Sequence, residues 1–411
     1  MVCGPGGPEL DGVGDYVERL VQALGGVGVE ATTVPMRPGG GPPASRWLSA
    51  TLRAALDVRR MRPDLVHVHF APSAFRFSAM PGLLPLLLPS PVPLVVTLHE
   101  YGWWSAPSWI PDALWRRLER AGTWDRETGR LVPSGSAVIV TNPEHARQVE
   151  TRMRRHAYEV PLAPNVTDHG RSPKQRRILR ERLGVAPDDL LLAFFGFVHP
   201  VKGVRYLLEA LAKLRVTRPG TRLLVIGGFT SQALPEPQAR AFRAELDDLA
   251  IRYGVADAVT FTGYLPAPAA SRMLHAADLA VLPYTAGVTA KSGALLTTLA
   301  HGLPTAITTP DAPDHRTIPD GPDRSGCTDR PDGPDRPDRP DCVATIPARR
   351  DAEAIARTVE RLAADPALRH RMAAAGRALA ARHSWSRVAA AHRALYDRLI
   401  GRTPGRTGRS A

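Results

Sequence analysis

The chain has 411 residues, 44% of them hydrophobic and 23% charged, a length that predicts two domains and a composition that excludes a wholly disordered protein. Lysine and arginine number 53 against 40 acidic residues, and the formal charge of +13 fits nucleic acid, an anionic membrane surface or a polyanionic substrate without choosing among them. Only Lys174, Lys202, Lys213 and Lys291 are lysines, an arginine bias that points to a GC-rich coding sequence more than to a functional demand.

Residues 1–14 are glycine-rich and carry Glu9 and Asp11 where a signal peptide would have a basic and then an apolar run, so none is expected. An α/β domain needs a strand before this loop, and only Met1, Val2 and Cys3 are available: the strand is a stub or starts upstream. Tyr16, Leu20 and Leu24 recur at four-residue spacing ahead of Gly25 and Gly26 and predict a helix. Residues 30–34 read as a strand, 47–60 as a helix, and 64–70, 94–98 and 137–141 as buried strands. The uncharged stretch 77–98 is long enough to cross a bilayer, but Pro81, Pro85, Pro89, Pro91 and Pro93 rule out a transmembrane helix.

The same alternation returns from residue 190, with strands at 190–195, 222–226, 258–261, 279–282 and 305–308 and a helix over 206–214. Short apolar strands between helices predict parallel sheets covered on both faces, hence two doubly wound α/β domains with ligands beyond the carboxyl ends of the strands. The boundary is expected in the polar segment 168–180. Residues 311–341 repeat Pro-Asp-Arg and Gly-Pro-Asp, hold nine aspartates and five arginines, and bring almost no large apolar side chain, so a disordered insertion is expected, leaving +17 on the rest. A strand at 343–346 and helices at 351–364, 367–382 and 385–400 follow. The domains expected are therefore 1–168, then 169–384 with the insertion 311–341, then the helix 385–400 and a disordered tail 401–411. Cys3, Cys327 and Cys342 lack metal-ligand spacing, and so sparse a set favours a reducing compartment, with the cytoplasm as the default.

Two segments carry chemistry. Residues 194–203 end a buried strand in a loop that delivers Lys202 just before a helix, where unpaired N–H groups and a cation suit a phosphate; a solvated lysine is the bland alternative. Residues 278–284 form a strand followed by a helix at 294–301, for which Ser292 is a good N-cap, Gly293 permits close approach of a ligand and Lys291 adds charge; an ordinary capped helix is the alternative.

With both segments in one domain, the sequence resembles the GT-B glycosyltransferases, in particular the retaining family 4 (group 1) type. The likeness runs nearly end to end: Gly12, Val13, Gly14, Asp15 and Tyr16 resemble the family's N-terminal glycine loop, 63–69 its second-strand motif, 97–100 its histidine loop, and 161–166 its interdomain segment. Residues 263–284 and 302–304 resemble its C-domain core, and 385–400 the helix that crosses back onto the N-domain. The resemblance implies two doubly wound Rossmann-like domains facing across a cleft, and a nucleotide-sugar donor (a UDP- or GDP-sugar) held mainly by the C-domain. It also implies a glycan, lipid-linked or small-molecule acceptor on the N-domain, and no cofactor or metal. Carried over residue by residue, Gly12 and Gly14 bring N–H groups to the diphosphate or sugar, and His99 contacts the donor sugar near the reacting centre. Lys202 neutralises the diphosphate, with Lys291, Ser292, Gly293 and Thr297 completing the donor side. His99 and Lys202 are the catalytic candidates, because a leaving nucleoside diphosphate gains negative charge and needs preorganised donors and cations. A strand-end core histidine is the bland alternative for His99.

The departures weigh on the other side. The family's arginine five residues before the lysine is Phe197 here, and its two glutamates fall at Thr289 and Thr297, where one hydroxyl stands for a carboxylate. Lys291 is expected to replace the charge lost at Phe197. A second class therefore competes: a protein of the same fold that binds a nucleotide sugar or glycan without turnover. After His99, Glu100 and Tyr101 come Trp103, Trp104, Trp109 and Trp115 among arginines, which read as an acceptor platform, an interfacial contact with an anionic membrane on its inner face, or core packing. Nucleic acid is not expected, since no zinc spacing, helix-turn-helix or aromatic RNA-binding strand accompanies the charge.

Overall fold

A computed structural model describes residues 1–6, 12–40, 43–107, 109–231, 234–289, 292–310 and 342–401. Lys291, the expected insertion 311–341 and residues 402–411 lie outside them. The chain divides into two compact units, Met1–Pro161 together with the chain from Trp385 onward, and Leu162–Ser384.

In the first unit the described residues form a six-stranded sheet from β1 (Val2–Cys3), β2 (Val34–Pro35), β3 (Val66–Phe70), β4 (Leu94–Leu98), β5 (Ala137–Val140) and β6 (Ala157–Glu159), in the order β2-β1-β3-β4-β5-β6. Every pairing is parallel, with Val66 opposite Leu94 and Phe70 opposite Leu98. The strands β3, β4 and β5 are buried along their whole length, which is why they read as continuous apolar runs instead of alternating ones. The chain runs from β1 to β2 on one side and returns to β3 on the other, so the sheet reverses between β1 and β3, where such sheets open a crevice at the carboxyl ends.

The second unit repeats the plan with β7 (Leu191–Phe195), β8 (Arg222–Ile226), β9 (Val259–Phe261), β10 (Leu279–Leu282), β11 (Thr305–Thr308) and β12 (Val343–Ile346), all parallel in the order β12-β11-β10-β7-β8-β9. Its reversal lies between β7 and β10. Leu207, Leu208, Leu211 and Leu214 pack the helix Val204–Thr217 onto Leu192, Phe194, Leu223 and Val225 in one apolar core.

The structure departs from the sequence expectations at residues 30–34 and in the segment 168–180. The strand expected at 30–34 is reduced to Val34–Pro35, because Glu30, Thr32 and Thr33 are exposed and only Val34 and Met36 reach the core. Val2–Cys3 does form a strand, pairing with both Val34–Pro35 and Val68. The polar segment 168–180, where the boundary is expected, leads into a helix, Pro173–Arg182, capped by Ser172, whose hydroxyl accepts the Gln175 N–H. Arg180 on this helix is buried and donates to Asp278 Oδ2 at 2.9 Å and to the Asp189 carbonyl at 2.7 Å, while Asp278 Oδ2 also accepts the Leu191 N–H at 2.8 Å. One carboxylate thus ties the helix to the starts of β7 and β10, a structural use of charged residues that polarity alone does not reveal. The two units separate between Pro161 and Leu162, ahead of that segment.

Candidate active site

In the second unit the loops that follow β7 and β10 flank the reversal of the sheet. After β7 the chain makes a short 3₁₀ turn, Pro200–Lys202, whose N-cap His199 accepts the Val201 N–H on Nδ1 at 3.3 Å. Gly203 follows at φ 74°, and a Cβ there would run into the Pro283 carbonyl oxygen, so only glycine lets this turn lie against the end of β10. The Thr285 N–H donates to the Val201 carbonyl at 2.9 Å, closing the two loops onto each other. Lys202 is half-buried, and its Nζ sits 3.7 Å from the centre of the buried Tyr284 ring, a cation–π contact that holds the ammonium in place without neutralising it.

After β10 the helix Gly293–Ala300 begins, and Ser292 caps it by accepting the Leu295 N–H at 3.2 Å. A Cβ on Gly293 would collide with Asn165 Oδ1, so the glycine keeps the helix N-terminus against the 165–166 segment. Thr297 is fully buried and its hydroxyl accepts the Val166 N–H at 3.2 Å, which gives it the task of fastening that segment. Thr289 and Phe197 are half-buried, and neither brings a charge to these loops.

In the first unit Gly12 and Gly14 lie in the first turn of the helix Gly12–Gly25, the element that follows β1, with Gly12 exposed and Gly14 buried. His99 stands just past β4, its backbone N–H donating to the Phe70 carbonyl at 2.8 Å. Its half-buried ring meets His69 Nδ1 through Nε2 at 3.2 Å and has Tyr16 edge-on, with centroids 4.9 Å apart. Burial lowers its pKa to about 3, with His392 nearby adding to the shift, so the imidazole is neutral at physiological pH. Behind it His67, itself held well below its ordinary pKa by burial, links Tyr396 at 2.6 Å and Thr97 at 2.7 Å.

The aromatic segment divides. Trp115 is a core residue at 2% exposure, whereas Trp103 at 61% and Trp109 at 79% face solvent; Trp104 is half-buried, and Trp103 and Trp104 both pack on the Phe77 ring. Glu100 accepts the Ser73 hydroxyl at 3.0 Å. Buried carboxylates pin this segment, Asp125 accepting the Tyr101 hydroxyl at 2.9 Å and Glu127 the Gly102 N–H at 2.9 Å. On the helix Pro43–Met61, Leu48, Leu52 and Leu56 form a second exposed apolar row at four-residue spacing, with Arg53, Arg59 and Arg60 on the same helix.

Among the described residues one trio, Asp168, His275 and His301, brings metal-ligand atoms within 4.8 Å of one another. His275 Nε2 already bonds Asp168 Oδ1 at 2.6 Å, and His301 Nε2 takes the Ser271 hydroxyl at 2.9 Å, so each of the three already spends a ligand atom on a hydrogen bond.

Two family models cover most of the chain. Residues 2–165 match the glycosyl transferase 4-like domain, and residues 189–365 match glycosyl transferases group 1. The chain belongs to the group 1 glycosyltransferases. Sequence relatives of this glycosyltransferase include D-inositol 3-phosphate glycosyltransferase of Segniliparus rotundus, 27% identical over 58% of this chain and 49% of the relative, and glycogen synthase of Mycobacterium tuberculosis, 29% identical over 57% and 51%. The chain spans about half the length of the curated relatives it matches. Among solved structures, sucrose-phosphate synthase from Thermosynechococcus elongatus superposes with a TM-score of 0.69 at 19% identity, covering 98% of both chains. The Anabaena protein HepE in complex with UDP and glucose gives 0.64 at 14% identity, covering 96% and 97%. At those identities the likeness establishes the GT-B fold of the two sheets. No helix among the described residues is long and apolar enough to cross a membrane.

Reading the sequence alone missed Tyr284 beneath Lys202, Asn165 beside Gly293, and the His67–His69 pair behind His99. Each lies inside a segment that resembles the family, and the signal was the type of residue: an aromatic two places after a strand, and two histidines on alternate positions of an otherwise apolar strand.

Proposed function

We propose that this group 1 glycosyltransferase moves a sugar from a UDP- or GDP-sugar to a glycan, lipid-linked or small-molecule acceptor, with retention at the anomeric carbon. The observation that carries this reading is Lys202, a cation in the loop after β7 fixed over Tyr284, while the helix Gly293–Ala300, capped by Ser292, follows β10 at the same reversal of the sheet. A fixed cation and unpaired N–H groups suit the diphosphate, whose charge grows as the sugar leaves. Ser292 and Gly293 serve the same phosphates through the helix backbone, and Thr297 acts by holding the segment 165–166 in place. Gly12 and Gly14 offer backbone groups to the donor, and neutral His99 hydrogen-bonds the transferred sugar. No metal is required in this scheme, because Lys202, joined by Lys291, supplies the positive charge. HepE, a neighbour in fold, is described with UDP and glucose, which supports a nucleotide-sugar donor.

The acceptor is received in the region of Glu100, Trp103 and Trp104, and the exposed row Leu48, Leu52 and Leu56 with its arginines suits peripheral contact with an anionic inner membrane face from the cytoplasm. Incubation with a panel of UDP-, GDP- and ADP-sugars, with and without candidate acceptors, tests the reading: release of the nucleoside diphosphate or transfer of the sugar supports it, and binding without turnover across the panel overturns it. The relatives named above are synthases and transferases, which lends no support to the binding-only alternative.

A further inference from the structure

The bond between His69 Nδ1 and His99 Nε2, 3.2 Å long, needs one donor and one acceptor. His69 is fully buried, and its other nitrogen, Nε2, has no hydrogen-bond partner among the described residues. If His99 donated from Nε2, a neutral His69 would carry its own proton on Nε2, leaving a buried N–H without an acceptor. If His69 donates from Nδ1, its Nε2 holds only an unused lone pair. Orphaned buried N–H groups are rarer than under-used acceptors, so the second arrangement is favoured. Both rings are neutral, since burial is the largest cause lowering each pKa.

We propose that His69 is a positioning residue that fixes His99 as its Nδ1–H tautomer, so that His99 meets the donor sugar as a neutral hydrogen-bond donor. The inference rests on the reading of His99 given above. Packing leaves His69 little freedom to turn. Its ring lies 4.1 Å from that of His67, which is anchored at both nitrogens by Tyr396 and Thr97, and 5.8 Å from that of Tyr16. An N–H at Nδ1 can hold a sugar oxygen that has only lone pairs to offer, whereas the opposite tautomer would present a lone pair and bind only a hydroxyl proton.

Asparagine places its amide where imidazole Nδ1 sits, and glutamine where Nε2 sits. Release of UDP from UDP-glucose or of GDP from GDP-mannose is therefore compared for His69→Asn, His69→Gln and His69→Leu. His69→Asn is expected to keep kcat within about threefold of the wild type, while His69→Gln and His69→Leu lose about tenfold or more with donor KM and Tm little changed. Nitrogen-15 NMR of histidine-labelled protein, with His99 assigned through His99→Gln, is expected to show His99 protonated on Nδ1 in the wild type and no longer uniformly so in His69→Leu. Equal activity in all three variants, equal loss in His69→Asn and His69→Leu, or a wild-type His99 protonated on Nε2 overturns the proposal. Full activity of His99→Ala would instead remove the catalytic reading of His99, while the NMR result still decides the tautomer.

Discussion

The two units reverse their sheets in the same manner, between β1 and β3 in one and between β7 and β10 in the other, yet they furnish those places with opposite chemistry. In the second unit the loop after β7 brings a mobile type of side chain, lysine, and immobilises it over Tyr284, and the segment after β10 leads into a capped helix. In the first, β3 carries His67 and His69 and the end of β4 is followed by His99, packed against one another and held uncharged. Topology sets where the loops of a parallel sheet diverge; the residues in and just after its strands decide whether that place offers a charge or neutral hydrogen-bonding groups.

Four experiments break or sharpen that contrast. The largest effect is expected for Asp278→Ala, which leaves the buried Arg180 and the Leu191 N–H without their carboxylate and should destabilise the second unit by about 3–5 kcal/mol. A chemical denaturation curve unchanged from the wild type would show that this carboxylate does not anchor the helix. Next, Lys202→Ala should lower turnover about 10²–10³-fold if the cation serves the diphosphate, and Lys202→Arg should rescue it only in part because a planar guanidinium sits differently on Tyr284.

Acidification probes the first unit. His99 and His392 have folded pKa values of about 3 and about 4, below the ordinary 6.5, so the unfolded chain takes up protons first. Stability contributed by their neutral forms is complete above pH 6.5 and is lost as the pH falls towards 4, amounting to about 1–2 kcal/mol per ring at pH 5. Asp125 and Glu127, raised by burial, act in the opposite direction, so the readout is the difference between wild type and His392→Gln in melts at pH 7 and pH 5. An equal fall in Tm for the two proteins would contradict a buried neutral His392. The smallest effect belongs to Trp103→Ala, which should alter stability by no more than about 0.5 kcal/mol while weakening acceptor use, in contrast to about 3–5 kcal/mol for Trp115→Ala in the core.

Much of this was legible in the chain. The apolar runs of β3, β4, β7, β8 and β10 announce strands because they are buried on both sides, and the fold class follows from their alternation with helices. What was hidden is short or polar. The strand Ala157–Glu159 has one buried residue in three, and the helix Pro173–Arg182 buries an arginine, so neither carries an apolar period. At the site, Lys202 and Ser292 stood out by position, but the tasks of Tyr284 and Asn165 depend on contacts across long sequence separations. The tryptophans looked alike in sequence, and only burial separates Trp115 from Trp103 and Trp109.

The helix Trp385–Leu399 belongs to the first unit although the whole second unit precedes it in the chain. Its Tyr396 is the hydroxyl that meets His67, and its Val388, Leu395 and Tyr396 are buried. On a ribosome, the residues of β1–β6 emerge first and must wait through more than two hundred further residues for the element that completes them. The second unit, made of one uninterrupted stretch, has all its residues earlier, so the half of the protein that begins translation first is the half completed last.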